Sequence, residues 1–405
     1  MGLDAYRTGT PPFLLIAVTM AGIAATIAGC ADPAGEGGSD AVPRASLGEP
    51  LAQFEDGLGS LRGARELADG RVLIADGFGE ALIVWAPGAG ADTLTNVGQG
   101  PQEYQLPDGL FPLPDGGTLL VDLGNVRLTR IDADLAFGET WPIARGGLGP
   151  DMTMMLPGAT DRDGRIYYEA RIGGMMAGTD SAAIMRFDPA TDETEEIGRI
   201  KLAEQERTES GDANNQNVSI RPVPYSAEDA WGAAWDGRVA IARADGYRLE
   251  WLAADGAATV GGPVSYEPVA IGGADQDEWL AALGGGLRVE VTADGGAPRM
   301  SMSRAPAGAG EATAGDFIWP PVKPAFAPDG VLSDGEGRAW VRRHVPAGTP
   351  PLFDIFDARG ERIAQVELPE DRSLVAIGEA SVYLSRSDEF DFAWLEKYAI
   401  PVITG

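Results

Sequence analysis

The stretch Asp69-Gly70-Arg71-Val72-Leu73-Ile74 decides the fold, because close copies of it recur along the chain. Asp115-Gly116-Gly117-Thr118-Leu119-Leu120, Asp163-Gly164-Arg165-Ile166-Tyr167-Tyr168, Asp236-Gly237-Arg238-Val239-Ala240-Ile241 and Glu336-Gly337-Arg338-Ala339-Trp340-Val341 repeat it, and Gly378-Glu379-Ala380-Ser381-Val382-Tyr383 is a degenerate sixth copy. Each copy is a turn containing Gly, followed by an apolar run suited to a strand. A further apolar segment follows each one, at 81–87, 126–132, 182–188, 247–253, 352–358 and 393–400. The turns lie 46, 48, 73, 100 and 42 residues apart. The short intervals match the ~40–50 residues of a four-stranded propeller blade, and the long ones are a blade plus an insert.

The expected fold is therefore all-β, a six-bladed β-propeller with four-stranded blades. A β-sandwich is the alternative, but near-continuous apolar strands suit sheets covered on both faces. Ring closure calls for residues around 48–57 to supply the outer strand of the last blade. The inserts fall at about 203–224 and 264–318. In the second, Asp275-Gln276-Asp277-Glu278 precedes Trp279-Leu280-Ala281-Ala282-Leu283, which predicts a short helix near 275–283.

The 405 residues include 61 acidic and 31 basic side chains, for a net charge of -30. A chain this acidic lacks the basic patch that nucleic acid requires, so no nucleic-acid partner is expected. One Cys excludes an intramolecular disulfide, and one His excludes His-pair zinc motifs. That Cys, Cys30, directly follows the uncharged apolar run 13–29. The sequence Ile27-Ala28-Gly29-Cys30 resembles the lipobox of bacterial lipoproteins, whose Cys carries diacylglycerol after cleavage. The resemblance implies a lipoprotein signal peptide at 1–29, lipidation of Cys30 and a place in the bacterial cell envelope. The protein would be held to a membrane by lipid, facing the periplasm or cell surface. An uncleaved signal anchor is the alternative. Residues 30–47 are rich in Gly, Pro, Ala and acid and read as a flexible tether, leaving 48–405 for the propeller.

Gly98-Gln99-Gly100-Pro101-Gln102-Glu103-Tyr104 leads into the second unit, and Asp122, Asn125, Arg127 and Ile131-Asp132 follow within it. This pattern resembles the NHL-repeat type of six-bladed propeller found in bacterial extracytoplasmic lipoproteins. The Asn-x-Arg element occurs once, so the likeness is to the wider group of propellers. It implies the six-bladed fold and an exported location but little about function, since most such proteins are binding or scaffold modules and a minority of six-bladed propellers are hydrolases. The expected function is a binding or scaffold module for a protein, peptide or glycan, with no cofactor. Read locally, the segment is structural: its glycines permit positive φ and Tyr104 can plug a gap between blades. Its spacing is not that of a phosphate loop, and no Lys follows.

The position seven residues before each turn opens the innermost strand. It is held by Arg62, Asp108, Leu156, Asp229, Asp329 and Asp371. Seven residues after each turn stand Asp76, Asp122, Ala170, Arg243, Arg343 and Ser385. Within a blade the two sets offer the pairs Arg62–Asp76, Asp229–Arg243 and Asp329–Arg343, with Arg127 available to one of the remaining acids. The candidate channel-mouth site is Arg62, Asp108, Asp122, Arg127, Asp229, Arg243, Asp329, Arg343 and Asp371. Gluconolactonase-type propellers hold Ca²⁺ among channel carboxylates. The alternative function is therefore a Ca²⁺-dependent lactonase-type hydrolase, with Asp108, Asp122 and Asp371 as ligands. His344 stands without an evident catalytic partner and no G-x-S-x-G elbow is present. It is expected at the surface, and no catalytic residue is assigned. Trp231 and Trp235 are the candidates for an exposed aromatic pair.

Overall fold

The computed structural model describes residues 42–146, 152–170, 180–212, 215–283, 287–292, 299–304, 312–390 and 392–403. Cys30 and the lipobox-like run lie outside the described residues. Six sheets are built on antiparallel strands, one from each repeat. Their inner strands are Leu61–Glu66, Pro107–Pro112, Pro157–Thr160, Ala230–Ala233, Phe326–Ser333 and Ser373–Ile377. Each inner strand touches the next, and the sixth touches the first, so the sheets close into a six-bladed propeller.

The burial pattern gives the reason for the ring. Strands Val72–Asp76 and Thr118–Asp122 are buried at every position. Six apolar clusters result, and each lies between two neighbouring blades. Leu73, Leu82 and Leu110 join blades 1 and 2, Tyr247 and Phe356 join blades 4 and 5, and Ile74 and Tyr383 join blades 6 and 1. No blade buries its faces alone; stacking completes each core. The recurring turn glycines adopt the conformation the sequence requires, with φ of 84° at Gly70, 81° at Gly116, 80° at Gly164, 86° at Gly237 and 72° at Gly337.

Blade 6 has three strands of its own. Its outer strand is Ala52–Gln53, which pairs with Lys397 and Glu396, as the closure argument predicts. An extra strand was not legible. Arg44–Ser46 runs parallel to Arg362–Glu367 and makes blade 5 five-stranded. The order that was expected to begin near residue 48 thus begins earlier. A three-residue strand needs only an open sheet edge and backbone groups, and the composition of 30–47 carries no sign of that.

Antiparallel alternation sorts the connections by face. The Asp-Gly turns lie on one face. The second-to-third strand loops and the blade-to-blade connections lie on the other, and both inserts belong to it. The first contains the hairpin Gln205–Asp212/Asn215–Pro222. The second contains the helix Gly273–Ala282 and the hairpin Leu287–Thr292/Arg299–Arg304. The helix begins before residue 275. Asp275 stands in its first turn, and its Oδ2 accepts the Gly272 N–H at 2.8 Å.

Candidate functional site

At the insert face, blade 2 forms a closed network. Asp122 is fully buried and accepts hydrogen bonds from Gln105 N–H (2.8 Å), Asn125 Nδ2 (2.8 Å) and Arg127 Nε (3.0 Å). Burial pushes the Asp122 carboxyl up from its ordinary value, against the opposing pull of Asn125, Gln105 and Arg127. Arg127 Nη2 also donates to the carbonyls of Gly100 and Glu103, both at 2.7 Å. Asn125 Nδ2 donates to Gly98 O at 3.0 Å. The residues that carry the NHL likeness therefore clamp the segment Gly98–Tyr104. Tyr104 sits where expected, fully buried between blades 1 and 2, with its hydroxyl donating to Leu94 O at 2.8 Å and accepting from Leu82 N–H at 2.9 Å.

The three expected intrablade pairs fare differently. Asp229 and Arg243 do pair, at 2.9 Å, and Glu250 adds a second carboxylate to Arg243 at 2.7 Å. In blade 1 the Asp76 carboxylate is engaged by backbone instead, accepting the N–H groups of Gly59, Ser60, Phe78 and Gly79, while the Arg62 side chain runs past Gly77. In blade 5, Arg343 pairs with Asp354 at 3.3 Å, whereas Asp329 pairs at the surface with Arg342 at 3.0 Å. The cause is a register shift between Phe326 and Val331, which displaces Asp329 along the inner strand. Adjacent strand residues point to opposite faces, so Arg342 receives the pair expected of Arg343. Asp108 is buried in the inner strand of blade 2, and Asp371 is an exposed turn residue with φ of 56°.

The expected cation ligands do not converge. Among the described residues no group of three or more His, Cys, Asp or Glu side chains could hold a metal. Ca²⁺ takes six to eight oxygen ligands, and both oxygens of Asp122 already serve protein donors. The donor set of Asp108, Asp122 and Asp371 therefore does not fit the ion.

The inserts interlock above this face. Met302, at 3% exposure, packs into the cluster of Leu113, Leu123, Ile143 and Met155 between blades 2 and 3. The hairpin that leaves the ring between blades 4 and 5 thus reaches across to blades 2 and 3. Trp279 packs edge-on against Phe317 (4.9 Å) and Trp319 (5.4 Å), forming a small core within the insert. Tyr225 of the first insert reaches Trp319, with ring centroids 6.3 Å apart, and Arg221 donates to Asp316 O at 3.4 Å.

A buried ammonium joins the second insert to blade 5. Lys323 Nζ lies 2.8 Å from Asp275, 3.4 Å from Glu278 and 2.9 Å from Val345 O. Burial raises the Asp275 carboxyl, but Lys323 and the N–H groups of Gly272 and Ala347 outweigh it and bring it down to about 2. His344 is part of this joint rather than a surface residue. Its Nδ1 lies 3.0 Å from Pro324 O and its ring stands edge-on to Tyr225. Burial lowers its pKa to about 4, and the charges of Lys323, Arg342 and Arg343 act in the same direction, so it is neutral at pH 7. The expected aromatic pair also separates. Trp231 packs against Gly158 of blade 3, while Trp235 lies in the turn on the opposite face, 42% exposed.

Sequence reasoning missed Asp354, Lys323 and Met302. Asp354 had a signal: it is a single acid inside the apolar strand Leu352-Phe353-Asp354-Ile355-Phe356, where only a satisfied carboxylate can stay. Lys323 and Met302 lie in segments outside the repeat, where blade register gives no guidance.

No family model and no curated protein matches the chain. Among solved structures it is similar to a gluconolactonase from Xanthomonas campestris, at 12% identity over 88% of this chain and 95% of the other, with a TM-score of 0.41. It is similar also to the calcium-binding protein regucalcin from Agrobacterium tumefaciens, at 12% identity over 90% and 98%, with a TM-score of 0.41. A third is virginiamycin B lyase from Staphylococcus aureus, at 10% identity over 87% and 99%, with a TM-score of 0.39.

Proposed function

We propose that this protein is a lipid-anchored extracytoplasmic binding module whose insert face receives a protein, peptide or glycan. One observation carries the reading: the second insert lays a hairpin across the ring and seals Met302 into the blade 2–3 core. The strand-end charges below it largely satisfy one another or the backbone. Such a face offers shape and surface in place of convergent, unsatisfied catalytic groups. Photocrosslinking in intact cells tests it. Probes at Gln205 and Asp277, on the insert face, should capture one envelope component, and probes at Asp115 and Asp236, on the turn face, should not. Equal capture from both faces would overturn the assignment. The anchor has a separate test, since Cys30→Ser should abolish incorporation of labelled fatty acid and release the protein from membranes.

The second reading is a Ca²⁺-dependent lactonase-type hydrolase that uses the carboxylates at the propeller channel. The carboxylates do not favour it, but it makes a distinct prediction. Ca²⁺ would raise the melting temperature, a chelator would reverse the rise, and Asp108→Ala or Asp371→Ala would remove it. No response to Ca²⁺ in the purified protein retires this reading.

A further inference from the structure

At the outer corner of blade 5 lies a cavity of about 530 Å³. It is open to solvent and lined by the start of the second insert (265–269), the loop after Arg343 and the outer strands of the blade, with Arg44 of the N-terminal strand at its edge. Its size falls within the range of small-molecule sites. On its floor Arg343 and Arg362 both turn toward Asp354, at 3.3 and 3.6 Å. Asp354 is fully buried, and its two oxygens also accept hydrogen bonds from the Tyr247 hydroxyl and Gln365 Nε2, each at 2.8 Å. Two guanidiniums thus share one carboxylate whose acceptor capacity is already heavily used.

Arg362 Nη1 also donates to Ser265 O at 3.4 Å. Glu367 is paired with Arg44, and Glu267 is exposed at the lip. Arg343 commits Nε to Ala325 O at 2.7 Å and Nη1 to Asp354, and no described hydrogen bond takes Nη2. The rings of Tyr247 (5.5 Å) and Tyr266 (5.2 Å) lie against this guanidinium. Burial, with the Asp354 charge next, pushes the Tyr247 hydroxyl well above its ordinary pKa, so it stays a donor. The floor is a positively charged, oriented fork within a chain that is strongly acidic elsewhere. A planar carboxylate is the group that matches such a fork.

We propose that this cavity binds the carboxylate of a small organic acid. Arg343 and Arg362 hold the head group, and Tyr266, Pro350 and Leu352 receive the apolar body. This site is independent of the macromolecular partner proposed above, and either can fail without the other. The test is titration of the full-length chain by saturation-transfer NMR, with benzoate as the probe and benzamide as its neutral isostere. Benzoate should bind at least tenfold more tightly than benzamide, and Arg362→Gln should erase the difference. Because that change also touches the Asp354 network, Asp354→Asn provides a test of opposite sign. It removes the competing charge while keeping a hydrogen-bond acceptor, and should tighten benzoate several-fold in a protein of unchanged near-UV circular dichroism. Equal binding of the two probes, no binding of either, or loss of benzoate binding in folded Asp354→Asn would overturn the proposal.

Discussion

Blades 2 and 5 carry an acid–arginine pair at corresponding places with the charges exchanged. In blade 2, Asp122 closes the second strand and Arg127 opens the third. In blade 5, Arg343 closes the second strand and Asp354 lies within the third. The surroundings then diverge. The connection entering blade 2 folds down and supplies the carbonyls of Gly100 and Glu103 to Arg127. The connection entering blade 5 is the long insert, tied to the loop after Arg343 through Lys323, with a cavity left beside the pair. The comparison teaches that the same charged pair becomes a rivet or the floor of a cavity according to the chain that covers it.

The sharpest way to break this comparison is to cut the rivet. Asp122→Ala should leave the Arg127 guanidinium without its carboxylate and release the Gly98–Tyr104 segment. Removing one partner of a buried, hydrogen-bonded pair costs about 3–5 kcal/mol. Urea unfolding should show that loss as a lowered midpoint. A loss below about 1 kcal/mol would mean that blade 2 is not closed by this network.

Acid tests the other side. The pKa of His344 in the folded chain, about 4, lies below its ordinary 6.5. The neutral ring therefore contributes stability that is fully present above pH 6.5 and is lost as pH falls toward 4. From 1.36 kcal/mol per unit, the change over that window is about 3 kcal/mol. His344→Gln keeps a donor for Pro324 O and removes the proton uptake. Its stability should vary less between pH 7 and pH 4, by about that amount, when both proteins are unfolded in urea at a series of pH values. Parallel pH curves for the two would show that the joint between insert and blade 5 does not exclude the charged imidazole.

The same contrast explains what the sequence could disclose. The Asp-Gly turns made the ring legible because a positive φ favours Gly and the first five blades each use such a turn. Ring closure through Ala52–Gln53 followed from counting strands. The Asp229–Arg243 pair was legible because that strand pairs without slippage. Asp329 was misassigned because a bulge is a local backbone event with little side-chain signature. The Lys323–Asp275 joint was invisible for a different reason. Asp275 lies in the second insert and Lys323 in the segment that follows it, and they meet only because the chain folds back on itself above the loop at 344–347. No period in the sequence marks such a contact.

The smallest expected effect separates the two arginines of blade 5. Arg342 and Asp329 form an ion pair at 3.0 Å, yet their side chains remain 40% and 49% exposed. Water already solvates both charges, so the pair gains little from its geometry. Arg342→Ala should change unfolding free energy by no more than about 0.5 kcal/mol, and added salt should not enlarge the difference. Arg343 sits one residue further on, at 8% side-chain exposure against a fully buried Asp354. Arg343→Gln should cost several times more in the same urea experiment, because it leaves a buried carboxylate short of a cationic donor. If the two variants lost equal stability, burial would not be what distinguishes the pairs, and the contrast between blades 2 and 5 would lose its physical basis.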